Sequence, residues 1–89
     1  MKQKGYNRRL EAVYLEAVEN QLRDDDPPET RQTFERLTNL GYSERDAKIL
    51  IASAIAAETF DIMKTKTSFN RNRFVRNLQR LPDQSFHDQ

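Results

Sequence analysis

The most apolar stretch of the chain, residues 49–57, lies near its middle and is interrupted only by Ser53. Wound into a helix at about 100° per residue, this stretch and its flanks place apolar side chains on two opposite faces. The first face holds Ala47, Ile51, Ala54, Ile55 and Ile62, and the second face holds Ile49, Ala52, Ala56, Phe60 and Met63. A helix with two apolar faces packs on both of them, so the pattern predicts that this helix lies at the centre of the fold.

Three further segments show the i, i+3, i+4 spacing of apolar residues that is typical of amphipathic helices. With the central one, the predicted helices run over 7–23, 27–40, 43–65 and 70–81. The apolar stripes of the other three are Leu10, Val13, Tyr14, Ala17, Val18 and Gln21; Thr30, Phe34, Leu37 and Leu40; and Phe74, Val75, Leu78 and Leu81. The fold class is therefore predicted to be all-α, a compact four-helix domain around the long third helix.

The breaks between the helices carry capping residues. Asp26, followed by two prolines, predicts the N-cap of the second helix. Gly41 suits the left-handed residue that follows a helix, and Ser43 is a good N-cap for the third helix. Because the second and third helices are so close in sequence, we expect a tight, angled pair with Tyr42 wedged at the corner.

The last helix has its own start signal. Asn70 is a suitable N-cap, and Phe69 and Phe74 are spaced to form a hydrophobic staple across it. Pro82 ends the helix.

Length and composition narrow the class of protein. At 89 residues the chain is expected to form a single helical domain, 7–82, between a mobile N-terminal tail, 1–6, and a disordered C-terminal tail, 83–89. The absence of cysteine excludes disulfides and thiolate zinc sites, and without a hydrophobic leader we expect a cytoplasmic protein. The apolar run is about half as long as a membrane-spanning helix, so no membrane partner is expected.

Charge is unevenly distributed although the formal net charge is only +1. Residues 11–29 contain seven acids against Arg23 alone, and residues 62–81 contain six bases and no acid. One interpretation is that the acidic first helix lies near the basic last one. The other is a surface for an anionic partner such as nucleic acid, formed by Arg71, Arg73, Arg76 and Arg80.

Residues suited to catalysis or metal binding are scarce. The one histidine, His87, falls in the predicted C-terminal tail, and the chain has neither a cysteine nucleophile nor a Gly-rich phosphate loop. The acids at 24–26 lack the alternation, the Gly and the later Glu of a hand-like calcium loop. We therefore predict no enzymatic activity, no catalytic or metal-binding residues and no cofactor.

Two polar residues interrupt the predicted apolar faces. Glu58 falls in the middle of the first face of the third helix, and Gln21 falls in the stripe of the first helix. A buried carboxylate without hydrogen-bond donors would be too costly. We therefore expect a buried polar pair in which the Gln21 amide donates to Glu58, helped by Tyr14 or an arginine of the second helix.

A set of short motifs extends along most of the chain. They are Glu19-Asn20-Gln21-Leu22, Asp26-Pro27-Pro28-Glu29, Arg36-Leu37, Gly41-Tyr42, Ala47, Phe69, Arg73-Phe74 and Leu81-Pro82. Through these motifs the chain resembles a bacterial family of small all-helical proteins and domains of unknown function. In that family the third helix often begins with His-x-x-x-His, a pair able to hold a metal ion, whereas this chain has Arg45 and Ile49 there. The resemblance implies a helical fold without implying an activity.

The second face of the third helix suggests how the protein acts. Ala52 and Ala56 are small enough to let another helix approach closely. The short last helix is expected to cover only part of this face and to leave the rest for a second copy of the chain. We therefore predict a small interaction or structural module that binds a protein partner and self-associates. The alternative is a nonspecific nucleic-acid-binding protein that uses the basic last helix.

Overall fold

The structure is a computed structural model in which residues 8–86 are described. Within this range it has four helices: α1 (Arg8–Asp24), α2 (Pro28–Asn39), α3 (Glu44–Thr65) and α4 (Arg71–Arg80). The predicted all-α class is confirmed. None of these helices is long and apolar enough to cross a membrane. The predicted mobile tail, 1–6, and His87 lie outside the described residues.

The two middle helices hold the domain together. α3 contacts α1, α2 and α4, and α2 contacts α1, α3 and α4, whereas α1 and α4 do not contact each other in the described part of the chain. The core therefore forms where the outer helices pack against the central pair. Its buried residues are Val18, Leu22, Leu37, Ala47, Ile51, Ala52, Ala54, Phe74, Leu78 and Leu81.

The buried side of α1 differs from the predicted stripe. Leu10 and Val13, which we placed on the core side, are about half exposed. At 100° per residue, the observed stripe is rotated by about a quarter of a turn. The rotation buries Leu15 and Leu22. Their apolar area is larger than that of Val13 and Ala17, so burying these leucines stabilises the domain more. The core side is formed by Tyr14, Leu15, Val18 and Leu22.

The N-cap of α2 lies one residue later in the chain than predicted. The N-cap residue is Pro27, whose carbonyl accepts a hydrogen bond of 3.0 Å from the Thr30 amide, and no side chain caps this end. With Asp26 as the cap, the two prolines would occupy the first two helical positions, where neither has an N–H to donate to its carboxylate. The two prolines thus begin the helix without help from the acid.

The connection between α2 and α3 follows the prediction except at Tyr42. Gly41 has a φ of 110° and donates to the Thr38 carbonyl, while the Tyr42 amide donates to the Leu37 carbonyl at 3.1 Å. These two bonds form a Schellman motif. The Ser43 hydroxyl caps α3 by accepting from the Asp46 amide. The Tyr42 side chain is exposed and is not wedged in the corner.

The start of α4 matches the prediction. The Asn70 side chain accepts from the Arg73 amide at 3.0 Å. The rings of Phe69 and Phe74 lie 5.8 Å apart across this cap, which confirms the hydrophobic staple.

The described part of the predicted disordered tail, 83–86, packs on the domain. Phe86 contacts the core, and the Gln84 amide donates to the Ser53 hydroxyl of α3 at 3.0 Å. Ser85 donates twice to Asp83, and these hydrogen bonds hold the pKa of the Asp83 carboxyl below its usual value. The expectation of disorder missed the single aromatic residue that this segment can bury.

Two arginines of α2 bind the ends of the outer helices. Arg31 donates to the Leu22 carbonyl near the end of α1. Arg36 donates to the Leu81 carbonyl at 2.7 Å and to the Leu78 carbonyl at 3.0 Å, at the end of α4. The last carbonyls of a helix lack intrahelical partners and carry its negative dipole end, so a guanidinium is well suited to both positions. α2 therefore stabilises the C-terminal ends of two neighbours.

Replacing Arg36 with Met should lower the free energy of unfolding by about 1.5–3 kcal/mol, because two carbonyls lose a charged donor. Arg36→Lys should retain only part of this, since an ammonium cannot reproduce the planar fork. Urea denaturation monitored by circular dichroism measures both. Arg23→Met is the control: Arg23 is exposed and pairs with its neighbour Asp24, so a change below about 0.5 kcal/mol is expected. Equal losses for the two Met variants would contradict the proposed role of Arg36.

Candidate functional site

The second face of α3 is only partly covered. Ala52 is buried and Ile49 and Ala56 are half-buried, but Phe60 is 53% exposed and Met63 is 71% exposed. The first face, by contrast, lies against the rest of the domain, with Ala47, Ile51 and Ala54 fully buried. The C-terminal half of the second face thus presents large apolar side chains to solvent.

An apolar groove of about 340 Å³ lies next to these exposed residues. α3 provides its floor and one wall through Ile49, Ala52, Ser53 and Ala56, and α1 provides the other wall through Glu11 and Tyr14. The Ser53 hydroxyl donates to the Leu50 carbonyl at 2.5 Å and accepts from Gln84, so it is satisfied within the domain. The groove therefore favours an apolar occupant.

α4 does not cover the second face as we expected. Phe74 of α4 lines a small cleft with Ile55, Glu58 and Ile62, which belong to the side of the first face. Beside the groove, the second face is bordered by α1 and approached by Gln84. Phe60 and Met63 are consequently more exposed than they would be if α4 covered part of the second face.

Sequence reasoning missed the contribution of α1 to this groove. The predicted stripe of α1 places Tyr14 on the core side and does not include Glu11. Tyr14 does pack against the core, but it also lines the groove. The available signal was the i, i+3 spacing of Glu11 and Tyr14, which places both on one side of a helix. Only the crossing of α1 over α3 shows that this side meets Ala52 and Ala56.

The predicted buried polar pair of Gln21 and Glu58 is replaced by two other pairs. Glu58, which is 3% exposed, accepts from Arg73 of α4: Nε donates to Oε1 and Nη2 donates to Oε2, each at 2.8 Å. The backbone N–H of Asn70 also donates to Oε2, at 2.9 Å. Gln21 instead accepts from the buried Thr30 hydroxyl at 2.6 Å. The requirement that Glu58 have donors is met, but by α4 and not by α1.

Arg73 fits Glu58 better than an amide could. Its guanidinium matches a carboxylate with two parallel bonds and brings the opposite charge. Burial raises the pKa of the Glu58 carboxyl, but the hydrogen bonds from Arg73 and Asn70 and the charge of Arg73 outweigh it and hold that pKa below its usual value. Asp61 lies 3.6 Å from the same guanidinium. Glu58 is thus an ionised structural anchor between α3 and α4.

The four arginines proposed as an anion-binding set do not form one open surface. Arg73 is bound to Glu58, Arg71 lies 2.8 Å from Glu29 of α2, and Arg80 lies 3.9 Å from Asp83. Arg76 is exposed, and the Arg71 side chain remains 54% exposed beside Glu29. The bases of α4 are therefore paired mostly within the chain. Their partners come from α2, α3 and the following turn, and not from the acidic α1 as expected.

The described residues contain no group of three or more His, Cys, Asp or Glu side chains that could hold a metal ion. A cleft of about 500 Å³ lies at the α3–α4 connection, beside Thr67, Asn70, Arg71 and Arg73. Both arginines in it already bind carboxylates.

The geometry defines an all-α four-helix domain with an apolar groove between α1 and α3. Comparison of the chain with protein-family models, with curated proteins and with solved structures finds no match in any of the three. The resemblance to the bacterial helical family stays a prediction.

Replacing Glu58 with Gln should destabilise the domain by about 1–3 kcal/mol at pH 7, because Arg73 loses its carboxylate. Because the folded-state pKa of Glu58 is lowered, its stabilisation is present above the unfolded pKa of about 4.3 and is lost as the pH falls through the folded value. The difference between wild type and variant should therefore shrink below about pH 4.

Urea denaturation at pH 7, 5, 4 and 3 measures this difference. Glu35→Gln, at an exposed position of α2, is the matched control and should show little difference at any pH. A Glu58→Gln variant as stable as wild type at pH 7 would contradict the role of the ion pair.

Nonspecific double-stranded DNA should bind only weakly and with strong salt dependence, because most bases of α4 are paired within the chain. Titration at two salt concentrations measures this. The suitable variant replaces Arg71, Arg76 and Arg80 with Gln and keeps Arg73, which supports the fold. Submicromolar binding at physiological salt that this triple variant abolishes would show that the basic helix is a nucleic-acid site.

Proposed function

We propose that the chain is a small cytoplasmic protein-interaction or structural module that self-associates through the second face of α3. The observation that carries the proposal is the exposure of Phe60 and Met63 beside an apolar groove. Side chains of this kind are scattered singly on most surfaces, whereas a contiguous apolar patch next to a groove is typical of a binding site.

The surroundings of the groove support a protein as the ligand. Leu10 and Val13 of α1 are also about half exposed, and Leu10 lies one turn before Tyr14 in the groove wall. The apolar surface therefore extends from α3 onto α1, which suits a helix or another domain better than a small polar molecule.

The nucleic-acid alternative has less support. Its surface would be α4, where Arg71, Arg73 and Arg80 lie near acids of the same chain. Enzymatic activity is not proposed, since neither the sequence nor the groove presents a nucleophile with a base to activate it. Membership of the bacterial helical family is part of the proposal and rests on the sequence motifs.

Wild-type protein should show a mass above the monomer value of 10.5 kDa in size-exclusion chromatography with light scattering, increasing with protein concentration. Ala56→Glu should shift it to the monomer, because a carboxylate in the centre of the second face would be desolvated without a partner. Gln32→Glu adds the same charge at an exposed position of α2 and should leave the mass unchanged. Circular dichroism of both variants establishes that they are folded.

A wild-type chain that remains monomeric at the highest soluble concentration would remove self-association from the proposal. A variant Ala56→Glu that associates as wild type does would place the contact elsewhere.

A further inference from the structure

A cleft of about 220 Å³ lies over the first face of α3, between α1 and α4, and is called the α1–α4 cleft below. The two outer helices do not contact each other in the part of the chain that the structure describes, so a gap separates them. The cleft is lined by Gln21 of α1, by Ile55, Glu58, Thr59 and Ile62 of α3, and by Phe69 and Phe74. None of these residues lines the groove between α1 and α3.

We propose that the α1–α4 cleft binds a small, neutral aromatic molecule that carries a hydroxyl group. The ring of this molecule packs against the isoleucines of α3 and the two phenylalanines, and its hydroxyl group bridges Gln21 and Glu58. Binding of this kind goes beyond the proposed self-association and is independent of it, because the two use different faces of α3.

The walls of the cleft suit an aromatic ring. Ile55 and Ile62 provide aliphatic side chains, and the rings of Phe69 and Phe74 lie 5.8 Å apart with their planes tilted by 56°. An aromatic ligand can pack against such rings in an offset or edge-to-face arrangement. Phe69 is 54% exposed, so a ligand in the cleft would also remove part of this apolar side chain from water.

The volume of the cleft fits one ring. A dry apolar cavity of about 150 Å³ is large enough to bind benzene. The α1–α4 cleft, at about 220 Å³, therefore has room for a single ring with a small substituent. The Thr59 hydroxyl donates to the Ile55 carbonyl at 3.0 Å and is satisfied within α3. The polar side chains left to bind a ligand are those of Gln21 and Glu58.

Gln21 offers a donor to the cleft and Glu58 offers an acceptor. The Gln21 oxygen accepts from the buried Thr30 hydroxyl at 2.6 Å, which leaves the side-chain nitrogen to donate to a ligand. Glu58 accepts three hydrogen bonds, two of them at Oε2. A carboxylate has about four acceptor sites, so Oε1 can accept one more. The lowered pKa of Glu58 keeps this carboxylate ionised at neutral pH.

A hydroxyl group matches both side chains. It can donate its hydrogen to Glu58 while its oxygen accepts from Gln21, whereas an ammonium group only donates and an ether only accepts. A neutral ligand is favoured because the Arg73 guanidinium, 2.8 Å from Glu58, already balances the charge of that carboxylate. A second charge in the cleft would be desolvated without a partner.

The first experiment is an NMR titration that follows the methyl signals of Ile55 and Ile62 as p-cresol, toluene, anisole or benzylammonium is added to millimolar concentration. p-Cresol should shift both signals. It should bind about tenfold more tightly than toluene or anisole, because toluene forms neither hydrogen bond and anisole cannot donate to Glu58.

Three results of this titration would overturn the proposal. Shifts of neither methyl signal with p-cresol would show that the cleft does not bind it. Toluene that binds as tightly as p-cresol would remove the role of the hydroxyl group. Benzylammonium that binds more tightly than p-cresol would show that the cleft selects a cation and not a neutral ligand.

The second experiment compares variants whose folding is checked by circular dichroism. Ile62→Trp fills the cleft and should weaken p-cresol binding by about tenfold or more. Met63→Trp places the same ring at the neighbouring, 71% exposed position and should change the affinity by less than about twofold. Gln21→Met should weaken p-cresol by about tenfold and leave toluene unchanged, a difference that a general loosening of the fold would not produce.

Ala56→Glu should bind p-cresol as wild type does, because position 56 does not line the cleft. A loss of self-association and a loss of ligand binding can therefore be told apart. A folded Ile62→Trp variant that binds p-cresol as tightly as wild type would place the ligand elsewhere and overturn the proposal, as would equal weakening of p-cresol and toluene by Gln21→Met.

Discussion

Burial of one carboxylate determines how the domain is arranged. Glu58 lies inside the fold, and its cost is offset only because Arg73 and the Asn70 amide both reach it. Both donors belong to the first turn of α4 or its cap, so satisfying Glu58 fixes α4 on the first face of α3. The second face is left to α1, which covers it incompletely. The exposed apolar surface is in this sense a consequence of where the buried charge finds its partner.

Most local features of the fold were predictable from the sequence, apart from the cap of α2, and the long-range pairings were not. Gly41, Ser43 and Asn70 act through hydrogen bonds to residues within a few positions, so their roles depend little on the rest of the chain. The partner of Glu58 depends on which helix lies against it. Arg73 was grouped with Arg71, Arg76 and Arg80, because helical spacing alone does not show which of these arginines meets Glu58.

The same limit applies to the candidate site. The second face of α3 could be predicted because helical periodicity alone places Ala52, Ala56 and Phe60 on one side. The groove could not, because it requires the rotation of α1 that brings Tyr14 over α3. In α1 the apolar residues spread over more than one side of the helix, with Leu10 and Val13 on one flank of Tyr14 and Val18 and with Leu15 and Leu22 on the other, so periodicity alone did not fix that rotation. The choice is made by packing of the larger side chains.

The lack of contact between α1 and α4 separates two properties of the domain. α4 is held by the ion pair with Glu58 and by Arg36, whereas α1 forms one wall of the groove. The effects of substitutions in α1 and in α4 on the free energy of unfolding should therefore add, because the two helices do not contact each other in the described part of the chain. Substitutions in α1 could therefore change the binding surface while α4 continues to stabilise the domain, so that a change of binding partner does not require a loss of stability.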